Sequence, residues 1–172
     1  MGSRLALPRS RSQIREIADL VRWIVKKEKS FYFDIVRFIE HVLPKIEEDF
    51  ILRICSEDEM SYCEGLTSPS KGIMNIREDV YYGAIAGNGR DRFTIAHELG
   101  HYILHKEESI CYARNEKEKY QKFRDPEWQA DAFAGELLIP SKLITGLTVD
   151  EVVELCSVSY SAASYQLRKT IN

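Results

Sequence analysis

The strongest constraint on the fold is a pair of histidines four residues apart, His97 and His101, with Glu98 directly after the first. Residues at this spacing lie on one face of an α-helix about one turn apart, so both imidazoles can bind one metal ion. Glu98 would lie beside that ion without binding it, where a carboxylate can move a proton from water to a leaving amine. The spacing therefore predicts a helix that carries a hydrolytic metal site.

The residues around this motif support a helix. Residues 92–105 have an amphipathic pattern in which Ile95, Leu99, Tyr102 and Ile103 would face a core. The alternative is that two histidines fall by chance on a solvated helix. Three of the chain's four histidines lie within nine residues, which favours the metal site.

A catalytic zinc usually keeps three protein ligands and one open position, so a third ligand is needed. Asp125 followed by Pro126 is typical of a helix start, and Pro140 would end that second helix. The helix would bring further carboxylates to the site. We therefore expect the third ligand on the polar face of this second helix.

Two acids on this second helix, Glu127 and Asp131, are four residues apart and share a face. We assign Glu127 as the third ligand and Asp131 as the acceptor for the other ring N–H of a ligating histidine. Asp131 and Glu136 are the rival ligands. Alternatively, both early acids serve only the helix dipole.

His105 extends the histidine series by another four residues. At a rise of 1.5 Å per residue it would lie roughly 12 Å along the axis from His97, too far to share its ion. The longer motif with a third histidine ligand requires glycine and histidine where the chain has Leu104 and Glu107. We therefore interpret His105 as a structural histidine.

The run from Arg92 to His105, followed by the run from Glu127 to Pro140, resembles the ImmA/IrrE family of metallopeptidases. The resemblance is strongest over residues 80–140 and continues more weakly to the C-terminus. It implies a zincin-like fold in a cytoplasmic bacterial protein, and cleavage of an Xre-type helix-turn-helix repressor that derepresses its genes.

Carried over residue by residue, the resemblance makes His97 and His101 the histidine ligands, Glu98 the catalytic glutamate and Glu127 the third ligand. Asp131 departs from the asparagine expected in many relatives. Zinc is the implied cofactor, with manganese as the alternative.

Composition is typical of a single compact enzyme domain: 172 residues, 44% hydrophobic and 30% charged. The net charge of −3 argues against direct nucleic-acid binding through bulk electrostatics. We expect no membrane association and a cytoplasmic location, since no apolar run reaches membrane-spanning length and no signal peptide is recognised.

The four cysteines, Cys55, Cys63, Cys111 and Cys156, are widely spaced without a zinc-finger pattern, so we expect them to be reduced and structural. Cys111 as a thiolate that blocks the metal is the alternative.

Upstream of the motif, the pattern predicts two helices and then a small sheet. The first helix carries a stripe from Ile14 to Val25 with Ser12 as its cap, and the second spans residues 34–43 and ends at Pro44. Strands are predicted over residues 50–55, 72–76 and 81–86. The order indicates an α+β, zincin-like domain with a small mixed sheet.

Strand 81–86 is our candidate for an edge that pairs with an extended substrate, with a central strand as the alternative. The charged stretch 106–124 is a solvated loop or helix, or else covers the cleft. In the second case Tyr112, Tyr120 or Arg114 would polarise the scissile carbonyl or stabilise its oxyanion.

The C-terminal segment has a capping box at Thr148 and Glu151, and Ser159 is positioned to cap a last helix. The arrangement resembles a helix-turn-helix, but the last helix offers only Arg168 and Lys169 for DNA. We expect it to pack on the catalytic domain or to dock a protein partner.

These patterns divide the chain into residues 1–12, an expression remnant or disordered tail; 13–140, the metallopeptidase domain; and a helical segment over 141–172. The expected function is a zinc-dependent endopeptidase that cuts one intracellular protein. The alternative is a non-proteolytic regulator or toxin–antitoxin component that sequesters a protein partner. An intact Glu98 favours the enzyme, because a binding module needs no general base.

Overall fold

The computed structural model describes residues 4–106, 111–112 and 121–170, which form an α+β fold. The α-helices are α1 (Arg11–Ile24), α2 (Ile35–Arg37), α3 (Leu43–Ile46), α4 (Glu78–Ile85), α5 (Gly89–His105), α6 (Pro126–Leu138), α7 (Val149–Cys156) and α8 (Tyr160–Thr170). The strands are β1 (Arg4–Leu5), β2 (Ile51–Cys55), β3 (Gly65–Ser68), β4 (Ile73–Arg77) and β5 (Cys111–Tyr112). A π-helix, Phe38–Val42, joins α2 to α3.

The N-terminal segment is part of the fold from Arg4 onward, so residues 4–12 are not the disordered tail that was expected over residues 1–12. β1 pairs antiparallel with β5, and Ala6 is buried with its N–H donated to the carbonyl of Arg124. Helix α1 begins after Ser10, two residues before the expected cap, because Ser10 and Gln13 form a capping box. Residues 1–3 lie outside the described ranges.

The second helical segment continues past Pro44, where it was expected to end. The N–H of Leu43 bonds to the carbonyl of Phe38, five residues back, which marks the π-helical turn. Pro44 lies in the first turn of α3, where a missing N–H costs little. The segment therefore ends at Ile46.

The main sheet is mixed, as predicted, with strand order β2-β4-β3. β2 runs parallel to β4 and β3 antiparallel to it, so that Ile76 lies opposite both Ile54 and Gly65. The strands predicted over 50–55 and 72–76 correspond to β2 and β4. Within the described ranges, β3 is an edge of this sheet.

The third predicted strand, over residues 81–86, is wrong, because residues 81–85 lie in helix α4 and Ala86 caps it. Val80 and Ala84 are buried at helical spacing, and Glu78 and Asp79 lie in the first turn, where they favour a helix. The proposed substrate edge at 81–86 is therefore also wrong. The true third strand is β3.

Helix α5 lies in the middle of the molecule and packs against α6, α4 and the sheet. At Gly100 a Cβ would lie 3.0 Å from the Cα of Ala130, so the glycine allows α5 and α6 to approach closely. The C-terminal helices share this core, since Val152, Cys156 and Ala163 are buried in it. The capping box of Thr148 and the cap at Ser159 are confirmed.

Cys55, Cys63 and Cys156 are free thiols, while the side chain of Cys111 lies outside the described residues. The same holds for the side chain of Tyr112 and for Arg114 and Tyr120, so their proposed roles stay predictions. Of the helices in the described part of the chain, none is both long enough and apolar enough to cross a bilayer.

Candidate metal centre

Helix α5 brings the two motif histidines together. Asn88 caps it by accepting hydrogen bonds from the N–H groups of Arg90 and Asp91 at 2.9 and 3.3 Å. The Nε2 atoms of His97 and His101, one turn apart on this helix, are separated by 3.0 Å. Both rings therefore present the same nitrogen to one point in space.

Helix α6 brings Glu127 to the same point. Asp125 caps this helix by accepting from the N–H of Glu127 at 3.0 Å, with Pro126 at the first helical position. The Oε2 atom of Glu127 lies 3.3 Å from His97 Nε2 and 3.4 Å from His101 Nε2. Two nitrogens and one oxygen thus form a triangle between the helices.

The size of this triangle suits a zinc ion. Zinc binds nitrogen and oxygen tetrahedrally at about 2.0–2.1 Å, which separates neighbouring donors by about 3.3–3.4 Å. The three observed separations, 3.0, 3.3 and 3.4 Å, are close to that value. Within the described residues, His97, His101 and Glu127 are the one such cluster of three that could hold a metal ion.

Glu136, considered above as a rival ligand, has other partners. It is 1% exposed, and its carboxylate accepts from Arg11 Nε at 2.9 Å, Arg15 Nε at 3.1 Å and Ser141 Oγ at 2.6 Å. These donors occupy both of its oxygens. The structure therefore does not bring Glu136 to the histidine pair.

Asp131 lies behind His97, where its Oδ1 is 2.8 Å from His97 Nδ1. An ionised carboxylate can only accept, so Nδ1 carries a proton, and Nε2 has a lone pair for a metal when the ring is neutral. Burial lowers the pKa of His97, but hydrogen bonds with Asp131 and Glu127 outweigh it and raise that pKa to about 9. The neighbouring imidazoles of His101 and His97 hold the pKa of Glu127 below its ordinary value.

Glu98 points to the sheet side of α5. It is 7% exposed and accepts a hydrogen bond from the hydroxyl of Thr67 at 2.6 Å. A Cβ on Gly65 would lie 2.6 Å from Glu98 Cγ, so only glycine leaves room for the carboxylate there. Strand β3 thus confines Glu98 from one side.

Sequence reasoning missed Gly65 and Thr67. The segment Gly65–Ser68 is short, begins with glycine and shows no alternation of apolar residues, so it carried no local strand signal. Only its pairing with β4 brings Thr67 to the helix.

His105 lies one turn beyond His101 and is not part of the metal group. It is buried, with Nδ1 3.2 Å from His101 Nδ1 and Nε2 3.2 Å from the side-chain oxygen of Gln129.

A cleft of about 710 Å³ opens beside the metal group. Glu127 and Asp131 lie on it, and helix α8 of the C-terminal segment forms one wall. Its lining is largely apolar and includes Phe93, Trp128, Ala132, Ala162 and Tyr165. The cleft is large enough for several side chains of a peptide.

A helix with two histidines and a glutamate, a carboxylate from the following helix and a small mixed sheet together define a metallopeptidase of the zincin-like class. The family model of the M78 peptidases, described as the IrrE N-terminal-like domain, matches residues 57–168. The chain belongs to this family, the ImmA/IrrE metallopeptidases, as the resemblance predicted. No curated protein matches the chain.

Proposed function

We propose that this chain is a zinc-dependent endopeptidase that cleaves one intracellular protein, an Xre-type helix-turn-helix repressor, and so derepresses genes of a mobile element or stress response. Membership of a peptidase family supports a protein substrate. The observation that carries the proposal is the 3.0–3.4 Å triangle of His97, His101 and Glu127, with Glu98 on the same helix. The repressor as target rests on the family resemblance.

In the proposed reaction, His97, His101 and Glu127 hold the metal and Glu98 moves the proton. Zinc, when bound, supplies Lewis acidity that polarises a carbonyl and makes water more acidic. Glu98 accepts a proton from the attacking water and delivers it to the leaving nitrogen. The hydrogen bond from Thr67 holds one carboxylate oxygen, which leaves the other for this transfer.

The substrate would bind in extended form along β3. This strand is an edge in the described part of the sheet, and Thr67 on it contacts Glu98. A peptide that adds to this edge would lie beside the proton-transfer group. The apolar cleft formed by α5, α6 and α8 would then accept substrate side chains next to the scissile bond.

The test incubates the purified protein with the repressor encoded beside its gene and measures fragments by intact-mass spectrometry. Wild type and Glu98→Gln are compared at equal, measured zinc content. We expect discrete fragments from wild type and none from Glu98→Gln, because the amide cannot accept the proton. Fragments from both proteins would show that Glu98 is not the group that transfers the proton.

Sequestration of a partner, as in a toxin–antitoxin pair, is the alternative that this experiment separates. Tight binding of the repressor by both proteins without fragments would contradict the peptidase proposal for this substrate and support sequestration.

A further inference from the structure

We propose that His105 and Gln129 form a buried hydrogen-bond relay that orients the His101 ring and sets its tautomer for metal binding. The proposal rests on the proposed function only in taking His97, His101 and Glu127 as a metal site. Neither residue is a metal ligand. Both would act through His101 as positioning residues.

The relay starts at Gln129, which is fully buried on α6. Its side-chain nitrogen donates to the carbonyls of Leu7 and Phe123, both at 2.8 Å. Carbonyl oxygens only accept, so the amide group has one orientation, with Oε1 turned towards His105. Arg9 donates to the same oxygen at 3.3 Å, which further favours this orientation.

The orientation of Gln129 sets the proton on His105. Because Gln129 Oε1 can only accept, His105 Nε2, 3.2 Å away, carries the ring proton. In the neutral ring Nδ1 is then an acceptor. It lies 3.2 Å from Nδ1 of His101.

The hydrogen bond to His105 in turn determines which ring nitrogen of His101 carries the proton. Its Nδ1 must donate to His105, so the lone pair of the neutral ring is on Nε2. That nitrogen is the one 3.4 Å from Glu127 Oε2, in the metal group. With the opposite tautomer of His105, His101 would carry its proton on Nε2 and could not bind the metal.

The two histidine ligands are thus oriented by different means. His97 donates to Asp131, a carboxylate whose side chain is 60% exposed. His101 instead donates to His105, which is 3% exposed and in turn donates to the fully buried Gln129. The relay therefore takes the place of the carboxylate that commonly supports a metal-binding histidine.

The relay also connects the N-terminal segment to the metal centre. The N–H groups of Ala6 and Arg9 donate to the carbonyls of Arg124 and Phe123 at 2.9 and 3.0 Å. These bonds position the Leu7 carbonyl to accept the hydrogen bond from the side-chain nitrogen of Gln129. The segment that precedes α1 therefore supports the orientation of His101 through Gln129 and His105.

The first experiment measures zinc affinity by competition with a chromophoric chelator, for wild type, His105→Phe and His105→Asn. We expect His105→Phe to weaken zinc binding by about 10- to 100-fold, because His101 loses its acceptor. Asparagine places an oxygen near the position of Nδ1, so His105→Asn should be closer to wild type than to His105→Phe. Unchanged affinity in His105→Phe, or equal losses in both variants, would overturn the relay.

A double-mutant cycle tests whether Gln129 acts through His105. Gln129→Leu should weaken zinc binding in the wild-type background and have no further effect on His105→Phe. Equal losses in both backgrounds would show that Gln129 acts by another route and would overturn the proposal. Gln166→Leu is the matched control, since it removes another buried glutamine, bonded to Ile139 and Ser141, and should leave zinc affinity unchanged.

Two further measurements exclude a merely structural effect. Circular dichroism and thermal unfolding of the metal-free variants report whether each one folds. Long-range ¹H–¹⁵N correlation spectra of the metal-free protein report ring tautomers, and we expect the proton of His105 on Nε2. A proton on Nδ1 would overturn the proposal, whereas absent repressor cleavage with an intact relay would contradict only the proposed substrate or reaction.

Discussion

At the scale of single residues, three histidines with identical spacing on α5 have different surroundings. His97 donates to a carboxylate, His101 faces a third imidazole and His105 bonds to an amide. Helix α6 supplies the partners of His97 and His105, whereas the partner of His101 is His105, on α5 itself. The tautomer of each histidine is therefore set by its hydrogen-bond partner and not by its place in the motif.

A first prediction concerns the space around Glu98. Gly65→Ala places a methyl group 2.6 Å from Glu98 Cγ and should displace the carboxylate. We expect repressor cleavage to fall by about 100-fold, since a positioned general base contributes about 10²–10⁴-fold. The measurement is the cleavage rate by mass spectrometry at equal zinc content.

Thr67→Val and Thr67→Ser provide the matched comparison for the same group. Serine keeps the hydroxyl that donates to Glu98 and should retain activity, while valine should not. Full activity of Gly65→Ala with normal zinc content would contradict the proposed confinement of Glu98.

A second prediction concerns Cys156. Burial raises the pKa of this thiol to about 11, although Arg22 and Arg92 act in the opposite direction. The unfolded thiol ionises near its ordinary value of about 8.5, so stability is lost as pH rises from there towards 11. At pH 10, which is about 1.5 pH units above the pKa of the unfolded thiol, we expect this loss to be about 2 kcal/mol.

The measurement is the free energy of unfolding in urea at pH 7 and pH 10, for wild type and Cys156→Ala. The advantage of wild type over the variant should shrink at pH 10. A difference that is independent of pH would refute the raised pKa, and the half-buried Cys55, replaced by alanine, is the control.

At the scale of elements, the packing of α5 against α6 builds the metal group. Gly100 allows the two backbones to approach, so that Glu127 on α6 reaches the histidines on α5. Helix α1 holds the other side of α6 through Arg11, Arg15 and the buried Glu136. Of the carboxylates of α6, Glu127 therefore belongs to the metal group, whereas Glu136 holds α6 against α1.

A third prediction separates these tasks. Glu136→Gln should lower the free energy of unfolding by about 1.5–3 kcal/mol, because two arginines lose hydrogen bonds to a charged partner. It should leave zinc affinity unchanged. Glu127→Gln should abolish tight zinc binding with little effect on the stability of the metal-free protein, since Glu127 is largely exposed.

Urea denaturation in the presence of a chelator measures the free energy of unfolding of the metal-free protein. Competition with a chromophoric chelator measures its zinc affinity. Loss of zinc affinity in a folded Glu136→Gln would restore Glu136 as a ligand.

At the scale of the whole molecule, one hydrophobic core supports the site. Side chains of α1, α5, α6, α7 and α8 are buried together, and they include Ile14, Leu99, Phe133, Val152 and Ala163. The metal group lies at the surface of this core. The fold therefore does not depend on the ion for its apolar contacts.

A fourth prediction follows for metal removal. The protein in a chelator should remain folded and unfold cooperatively, while free zinc at 100 times its Kd should add about 2.7 kcal/mol of stability. Urea denaturation with chelator and with buffered zinc measures the difference, and His101→Ala should show none. Unfolding by the chelator alone would show that the metal is structural.

Much of the site could be predicted from the sequence because its signals are local. The histidine pair follows from helical spacing, and the start of α6 from Asp125 and Pro126. Strands β2 and β4 and the caps of α7 and α8 were predicted for the same reason. Each pattern involves residues within a few positions of one another.

Other features were decided only by tertiary structure, because they join residues far apart in the chain. Thr67 meets Glu98 through the pairing of β3 with β4, and Gln129 meets Leu7 across more than a hundred residues. The segment at 81–86 is a helix because Val80 and Ala84 face the core. The sequence alone thus determined which residues can bind a metal, whereas packing decided which partners orient them, since hydrogen-bond geometry depends on contacts between elements.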